Sequence, residues 1–352
     1  MRIAYVLPSP ELNGGNKVIF QHVGLLRSMG DEVTVLAEGP KPGWIEIDVR
    51  YVDTTAGPPR LAGQDLVVAT YWTTVERALA LEAGPVAHFC QGYEGVLPHL
   101  REMRSEVDRV YSLPVPTLVV SPHLVPLLRD RFGRESRVAP PPLDPAFRPA
   151  ARLRPDPRPW IAVPGIFESE VKGVATALAA VERLRARGVP ARLLRVSTWP
   201  LGDEERALRP PERYLCGVPP ETVARELRRC DLLILASREE EGFGLPLLEA
   251  MASKVPGVAS RIPSIVAFAA DAAALVPPGE PEAFAGAAHD LLTRPRAWRR
   301  ARQAGWAAAQ RFAPERVGPE LREALRWASR RAAGSPAPAG AAAGRSHSAA
   351  AS

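Results

Sequence analysis

Two glutamates, Glu241 and Glu249, bracket a Gly-Phe-Gly turn in the segment SREEEGFGLPLLEAMA, which runs from Ser237 to Ala252. Upstream, CDLLILAS (230–237) is a nearly continuous apolar run, the pattern of a strand buried on both faces in a parallel sheet. Downstream, Pro246 suits a first helical position, and the residues from Leu247 to Ala252 are good helix formers. The spacing therefore predicts a strand, a glycine turn and a helix N-terminus. That arrangement offers free backbone N–H groups and a positive dipole end to an anion, and Gly242 and Gly244 let a phosphate approach the chain. A carboxylate on each side can accept the hydroxyls of whatever carries the phosphate. The combination points to a sugar nucleotide.

Such a motif needs a sheet to hold it. The first 140 residues alternate strand-like and helix-like segments: strands at 2–7, 32–37, 65–70, 85–90 and 117–121, and helices at 16–29 and 73–82. Short apolar strands alternating with helices imply a parallel sheet covered on both faces. PPPLDPAFRPAARLRPDPRP (140–159) is dense in proline and reads as a stiff interdomain linker. The alternation then restarts, with strands at 160–165, 191–197, 230–237, 255–260 and 273–279. Helices are expected at 173–187, 220–229, 282–293, 298–312 and 315–331, with a loop between 260 and 273. The fold class is α/β, with two Rossmann-like domains, 1–150 and 151–314, whose parallel sheets face a central cleft. Ligands in such sheets bind beyond the carboxyl ends of the strands. The helix at 315–331 is expected to cross back onto the first domain. Residues 333–352 are low in complexity and are expected to be disordered.

Composition narrows the class. At 352 residues, with 46% hydrophobic and 24% charged residues, the chain can build two globular cores. Its longest apolar runs are strand length, which excludes a transmembrane helix, and its start lacks a signal-peptide core. Three widely spaced cysteines, Cys90, Cys216 and Cys230, suit a reduced, cytoplasmic protein without a disulfide framework or zinc site. No metal-ligand spacing appears. The net charge of +6 is uneven: residues 1–150 hold 15 Lys and Arg against 17 Asp and Glu, whereas residues 296–331 hold ten Arg and three Glu. That arginine-rich end reads first as a solvated helix face and second as a surface attracted to anionic headgroups. No aromatic-studded basic stripe supports a nucleic-acid partner.

Read with its surroundings, the opening motif resembles the retaining glycosyltransferases of family 4, which have the two-domain GT-B fold. The resemblance spans roughly residues 2–312 and is densest in RCDLLILASREEEGFGLPLLEAMASKVPGVAS, where both glutamates match the family's E-x7-E signature. It implies that Glu249 binds the ribose hydroxyls and that Glu241 lies beside the donor sugar. Gly242, Phe243, Gly244 and Leu245 would bring backbone N–H groups to the donor. Lys172, in GIFESEVKG, resembles the family's lysine of a lysine-glycine pair, whose charge offsets the leaving diphosphate. The family's arginine five residues earlier is Phe167 here, and Arg238 or Arg195 is a candidate to replace it. Gly14 and Gly15 match the glycine loop of the family's N-terminal domain.

AHFCQGYEG (87–95), with VVATYWTT (67–74), is similar to members that build rhamnose-containing and other bacterial surface polysaccharides. Gln91 stands where many relatives have a histidine. It can hydrogen-bond a sugar hydroxyl but cannot carry a proton as imidazole does. Tyr93 and Glu94 are candidates for acceptor contact. His88 is expected to pack in the core, Ser121 to cap a helix, and Asp144 and Phe147 to set linker geometry. The resemblance implies transfer of a hexosyl group from a nucleotide-diphosphate sugar to a glycan or lipid-linked acceptor, with no cofactor or metal. Peripheral contact with the inner membrane face stays open. The alternatives are a non-catalytic relative that binds glycan or nucleotide, and a sugar-nucleotide epimerase or phosphorylase on the same fold.

Overall fold

The computed structural model describes residues 1–334. The first sheet comprises β1 (Arg2–Val6), β2 (Glu32–Ala37), β3 (Arg50–Asp53), β4 (Leu66–Ala69), β5 (Val86–Cys90), β6 (Thr117–Val119) and β7 (Ser136–Val138). Its order is β3-β2-β1-β4-β5-β6-β7, with every pair parallel. The second sheet comprises β8 (Trp160–Pro164), β9 (Arg192–Ser197), β10 (Arg213–Cys216), β11 (Leu232–Leu235), β12 (Gly257–Ser260) and β13 (Ala274–Val276). It runs β10-β9-β8-β11-β12-β13, again all parallel. The central strands are buried on both faces, His88 of β5 included, because helices cover both sides.

Each sheet has one place where the strand order reverses, between β1 and β4 and between β8 and β11. Loops leaving such strands diverge to opposite faces and open a crevice at their carboxyl ends. The chemistry-bearing segments leave these strands. Gly14 and Gly15 follow β1 in α1 (Gly14–Ser28), Lys172 follows β8, and Glu241 follows β11 ahead of α8 (Leu245–Ala252).

The two domains are bound together away from the crevice as well. After α11 (Pro295–Ala309), α12 (Pro314–Ala333) returns to lie against α1 and strands β4 to β7 of the first sheet. Its Leu321, Leu325 and Ala328 are fully buried there, and Arg322 bonds Asp31, which also holds the N-terminal ammonium at 2.7 Å. One apolar cluster runs without a break from the first sheet to α8 and α12, and a second fills the far face of the second sheet. The linker is pinned by Arg302 on α11, which donates to the carbonyls of Ala150 and Arg152.

Several elements lie where the sequence pattern showed none. β3, β7 and β10 are edge or near-edge strands of three or four residues, too short and too exposed to form an apolar run. α3 (Arg104–Tyr111) and α6 (Asp203–Leu208) are short and strongly charged. The expected loop between 260 and 273 contains α9 (Pro263–Ala269), which starts on a proline. The expected disordered segment, except its first two residues, lies outside the described residues.

One buried charge pair fixes the second domain locally. Arg195 on β9 is completely buried; its guanidinium meets Glu205 of α6 and the carbonyls of Val163 and Gly165. Removing one partner leaves a buried cation uncompensated, which costs about 3–5 kcal/mol. Glu205→Gln should therefore lower the unfolding free energy by at least about 3 kcal/mol, as measured by urea denaturation. A loss below about 1 kcal/mol would mean that the guanidinium is satisfied by carbonyls alone.

Candidate functional site

The crevice between the domains holds a cavity of about 920 Å³, the size of a small-molecule site. Asn13 caps α1 by accepting the Asn16 N–H at 2.8 Å, so the helix begins at Gly14. Gly14 and Gly15 thus form its first turn rather than a preceding loop. Opposite them stands the turn before α8. A Cβ on Gly242 would fall 1.7 Å from the Gln91 carbonyl oxygen, so the two domains meet backbone to backbone at this point. Gly244 has φ of +91°, a left-handed conformation suited to glycine, and ends the turn so that Leu245 and Pro246, the first residues of α8, line the cavity.

The carboxylates each hold an ammonium. Glu241 Oε2 lies 2.8 Å from Lys172 Nζ and accepts from Ser237 Oγ at 3.0 Å. Burial pushes the Glu241 carboxyl upward, but Lys172, Ser237 and the Phe243 backbone N–H outweigh it and hold the group below its ordinary range. Glu241 is therefore a buried anion. Glu249 lies 2.5 Å from Lys17 Nζ, which comes from α1 of the other domain. Burial dominates at Glu249 and raises its pKa; Lys17 works downward and Asp144 upward. Lys17 also lies 3.6 Å from Asp144 Oδ2 and 4.6 Å from the Phe147 ring centroid. The sequence reading missed Lys17. The available signal was a lysine two residues after Gly15, in the glycine segment already matched to the family's loop.

Phe243 points away from the cavity centre into a stack with Phe268 at 4.7 Å, with Phe312 edge-on to both. The turn is anchored by this aromatic core, and the contribution left to Phe243 at the cavity is its backbone. Leu245 opens α8 and lines the cavity.

Neither arginine suggested as a substitute at position 167 reaches the cavity. Arg195 is consumed by the internal pair with Glu205, and Arg238, which does not line the cavity, pairs at 3.2 Å with Glu170, which does. Phe167 packs on the apolar cluster of the second domain. Among the described residues no arginine lines the cavity; its two lysines are Lys17 and Lys172.

In the first domain, Gln91 lies beside Gly15, where a Cβ would approach its Nε2 to 3.2 Å. Tyr93 is buried, with its hydroxyl on Asp108, its ring under Arg131 and its edge against Tyr111. Glu94 lines the cavity yet is almost fully buried, and it accepts from the Tyr111 hydroxyl. His88 is a core residue whose Nδ1 meets Arg134 at 3.0 Å, and burial holds it well below its ordinary pKa. Ser121 does not cap the following helix, α4 (Leu124–Phe132); its hydroxyl pairs with His123 at 3.0 Å instead. Asp144 shapes the linker by accepting the Ala146 N–H and also faces Lys17. Among the described residues, no group of three or more His, Cys, Asp or Glu is placed to hold a metal ion. Nor is any described helix long and apolar enough to cross a membrane.

Two parallel-sheet domains facing a crevice, with a glycine turn leading into a helix of the second domain, define a GT-B fold. Comparison with known proteins agrees. Residues 158–294, most of the second domain, match the family described as Glycosyl transferases group 1. No curated protein sequence matches the chain. Among solved structures, the chain is similar to sucrose-phosphate synthase from Thermosynechococcus elongatus at 20% identity, with 93% of this chain and 98% of that one covered and a TM-score of 0.77. It is also similar to Anabaena HepE in complex with UDP and glucose, at 15% identity, 92% and 99% coverage and a TM-score of 0.74. A glycosyltransferase from Rickettsia africae ESF-5 shares 14% identity, with 95% and 99% coverage and a TM-score of 0.69. At such identities these structures establish the fold.

Glu94 gives the site a pH signature. Burial raises its carboxyl from the ordinary value to about 7, against the opposing hydrogen bond from Tyr111. A folded pKa above the unfolded one stabilises the protein fully below the unfolded value near 4.5, and that stabilisation disappears as pH rises through 7. The amount is on the order of 3 kcal/mol. Glu94→Gln keeps the neutral shape at all pH values. The Tm of the variant relative to the native protein should therefore climb between pH 5 and pH 8. A pH-independent difference would show that Glu94 is ionised in the fold throughout.

Proposed function

We propose that this chain is a retaining glycosyltransferase of the family-4 type, transferring a hexosyl group from a nucleotide-diphosphate sugar to a glycan or lipid-linked glycan acceptor in surface polysaccharide synthesis. The observation that carries the reading is the Lys172–Glu241 pair at 2.8 Å, which lines the crevice between the domains together with the N-terminus of α8. An ammonium and a helix N-terminus are together suited to a diphosphate. A buried anionic carboxylate next to them suits a sugar that gains positive charge as the diphosphate departs. In this reading Glu249, in α8, accepts hydrogen bonds from the ribose hydroxyls. In this reading the segments at the ends of β9 and β10, with Ser197, Thr198 and Val218 on the cavity wall, meet the base.

In this mechanism the bond from the anomeric carbon to the diphosphate oxygen breaks while Lys172 and the backbone N–H groups of the turn before α8 take up the developing negative charge. The acceptor hydroxyl attacks from the same face and passes its proton to the leaving phosphate. No separate general base is required, which suits a glutamine at position 91. Positive charge at the leaving group comes from the protein, so the reading asks for no metal or cofactor. The acceptor enters from the side of the first domain, past Gln91 and the segment around Glu94. The similarity to structures with UDP and glucose or UDP-glucose bound supports a nucleotide-sugar donor. A cytoplasmic setting, with contact to the inner membrane face, suits a lipid-linked acceptor.

Two variants test the reading. Glu241→Ala and Lys172→Ala should each lower transfer from the preferred UDP-, GDP- or dTDP-sugar by at least about a hundredfold, the size of effect expected for a lost electrostatic stabiliser. Circular dichroism should stay native. Transfer within a factor of three in either variant would remove that residue from the chemistry. Release of free sugar or an epimerised donor, with no acceptor product, would favour a different reaction on this fold.

A further inference from the structure

We infer that Lys17, on the first domain, is a donor-phosphate ligand that rests on Glu249 until a nucleotide arrives. The inference rests on the nucleotide-sugar reading of the crevice and deepens it. A diphosphate brings about two negative charges into the cavity, and the cations able to meet it there are Lys17 and Lys172. Phe167 supplies no charge, Arg195 is consumed internally, and Arg238 is turned to Glu170. Lys172 alone would leave the diphosphate under-neutralised, because it is already shared with Glu241. The second cation must therefore come from the other domain.

Lys17 is well placed for that role and is held in reserve. It lies in the first turn of α1, whose Gly14 and Gly15 line the same cavity as the α8 turn. Its Nζ sits 2.5 Å from Glu249 and 3.6 Å from Asp144, against the Phe147 ring. Both Lys17 and Glu249 are more than nine-tenths buried, so neither can lose the other without a replacement. A ribose supplies that replacement, since its two hydroxyls can donate to Glu249. The displaced ammonium then has a diphosphate beside it, and a flexible lysine stem can swing toward it. Occupancy of the ribose site and recruitment of the phosphate cation thus become one exchange.

The test compares nucleoside diphosphates with nucleosides by isothermal titration at fixed salt, using UDP and uridine, GDP and guanosine, and dTDP and thymidine. For the pair that the native protein binds, Lys17→Gln should weaken the diphosphate about ten- to a hundredfold, as for a lost charged hydrogen bond. The nucleoside should change less than threefold, and Lys17→Arg should restore the diphosphate. Glu249→Gln, which releases Lys17 from its resting partner, should raise the ratio of diphosphate to nucleoside affinity. This second variant keeps the test decisive should Lys17→Gln misfold. Equal weakening of both ligands by Lys17→Gln, or a fallen or unchanged ratio in Glu249→Gln, would make Lys17 a structural latch and overturn the inference. A native protein that binds none of the three diphosphates would overturn the nucleotide reading itself, and this outcome is distinct from any difference between variants.

Discussion

The backbone approach of Gly242 to the Gln91 carbonyl is the constraint on which the rest of the site depends. A methyl group at position 242 would occupy the space of that oxygen, so the turn after β11 and the loop after β5 fit together only with glycine there. This contact sets the width of the crevice. It brings α1 close enough to α8 for Lys17 to reach Glu249, a partner 232 residues away. It also places the N-termini of both helices on one cavity. The Phe243, Phe268 and Phe312 cluster behind the turn gives it a rigid backing, so the approach is fixed from both sides.

On the first domain the support is polar rather than aromatic alone. Tyr111 holds Glu94 and contacts Cys90, while Arg134 bonds His88, Thr117 and the Val110 carbonyl beneath them. These groups pair with one another in a region shut off from water, leaving His88 Nε2 and Arg134 Nε without a partner, and their shared bonds rigidify the segment. The loop that carries Gln91 therefore stands on a braced base. Tyr93 belongs to the same bracing through Asp108 and Arg131. Its side chain is held in this bracing at the first domain's edge of the crevice, which Tyr93 lines.

Much of this was legible in the sequence because it follows from local pattern. The run from Cys230 to Ser237 could only be a buried strand, and Gly-Phe-Gly-Leu-Pro could only turn into a helix. The strands on both sides of each reversal point carry enough Val, Leu and Ile to stand out. What stayed hidden depends on pairs distant in sequence. Nothing near Lys17 reveals Glu249 as its partner, and nothing near Arg195 reveals that Glu205 consumes it. Gly242 reads as a phosphate-binding glycine, yet the nearest atom to its missing side chain is the opposite domain's backbone. The short edge strands were hidden for a different reason, since a strand paired on one side needs no apolar run.

The central claim is that the crevice is a nucleotide-sugar site assembled by contact of the two domains. The most direct measurement is calorimetric titration of the native protein and of Gly242→Ala with UDP-, GDP- and dTDP-sugars. The account predicts that one donor class binds the native protein and that its affinity falls at least tenfold when the added methyl group forces the domains apart. Binding of no donor by the native protein, or equal binding by both proteins, would contradict it.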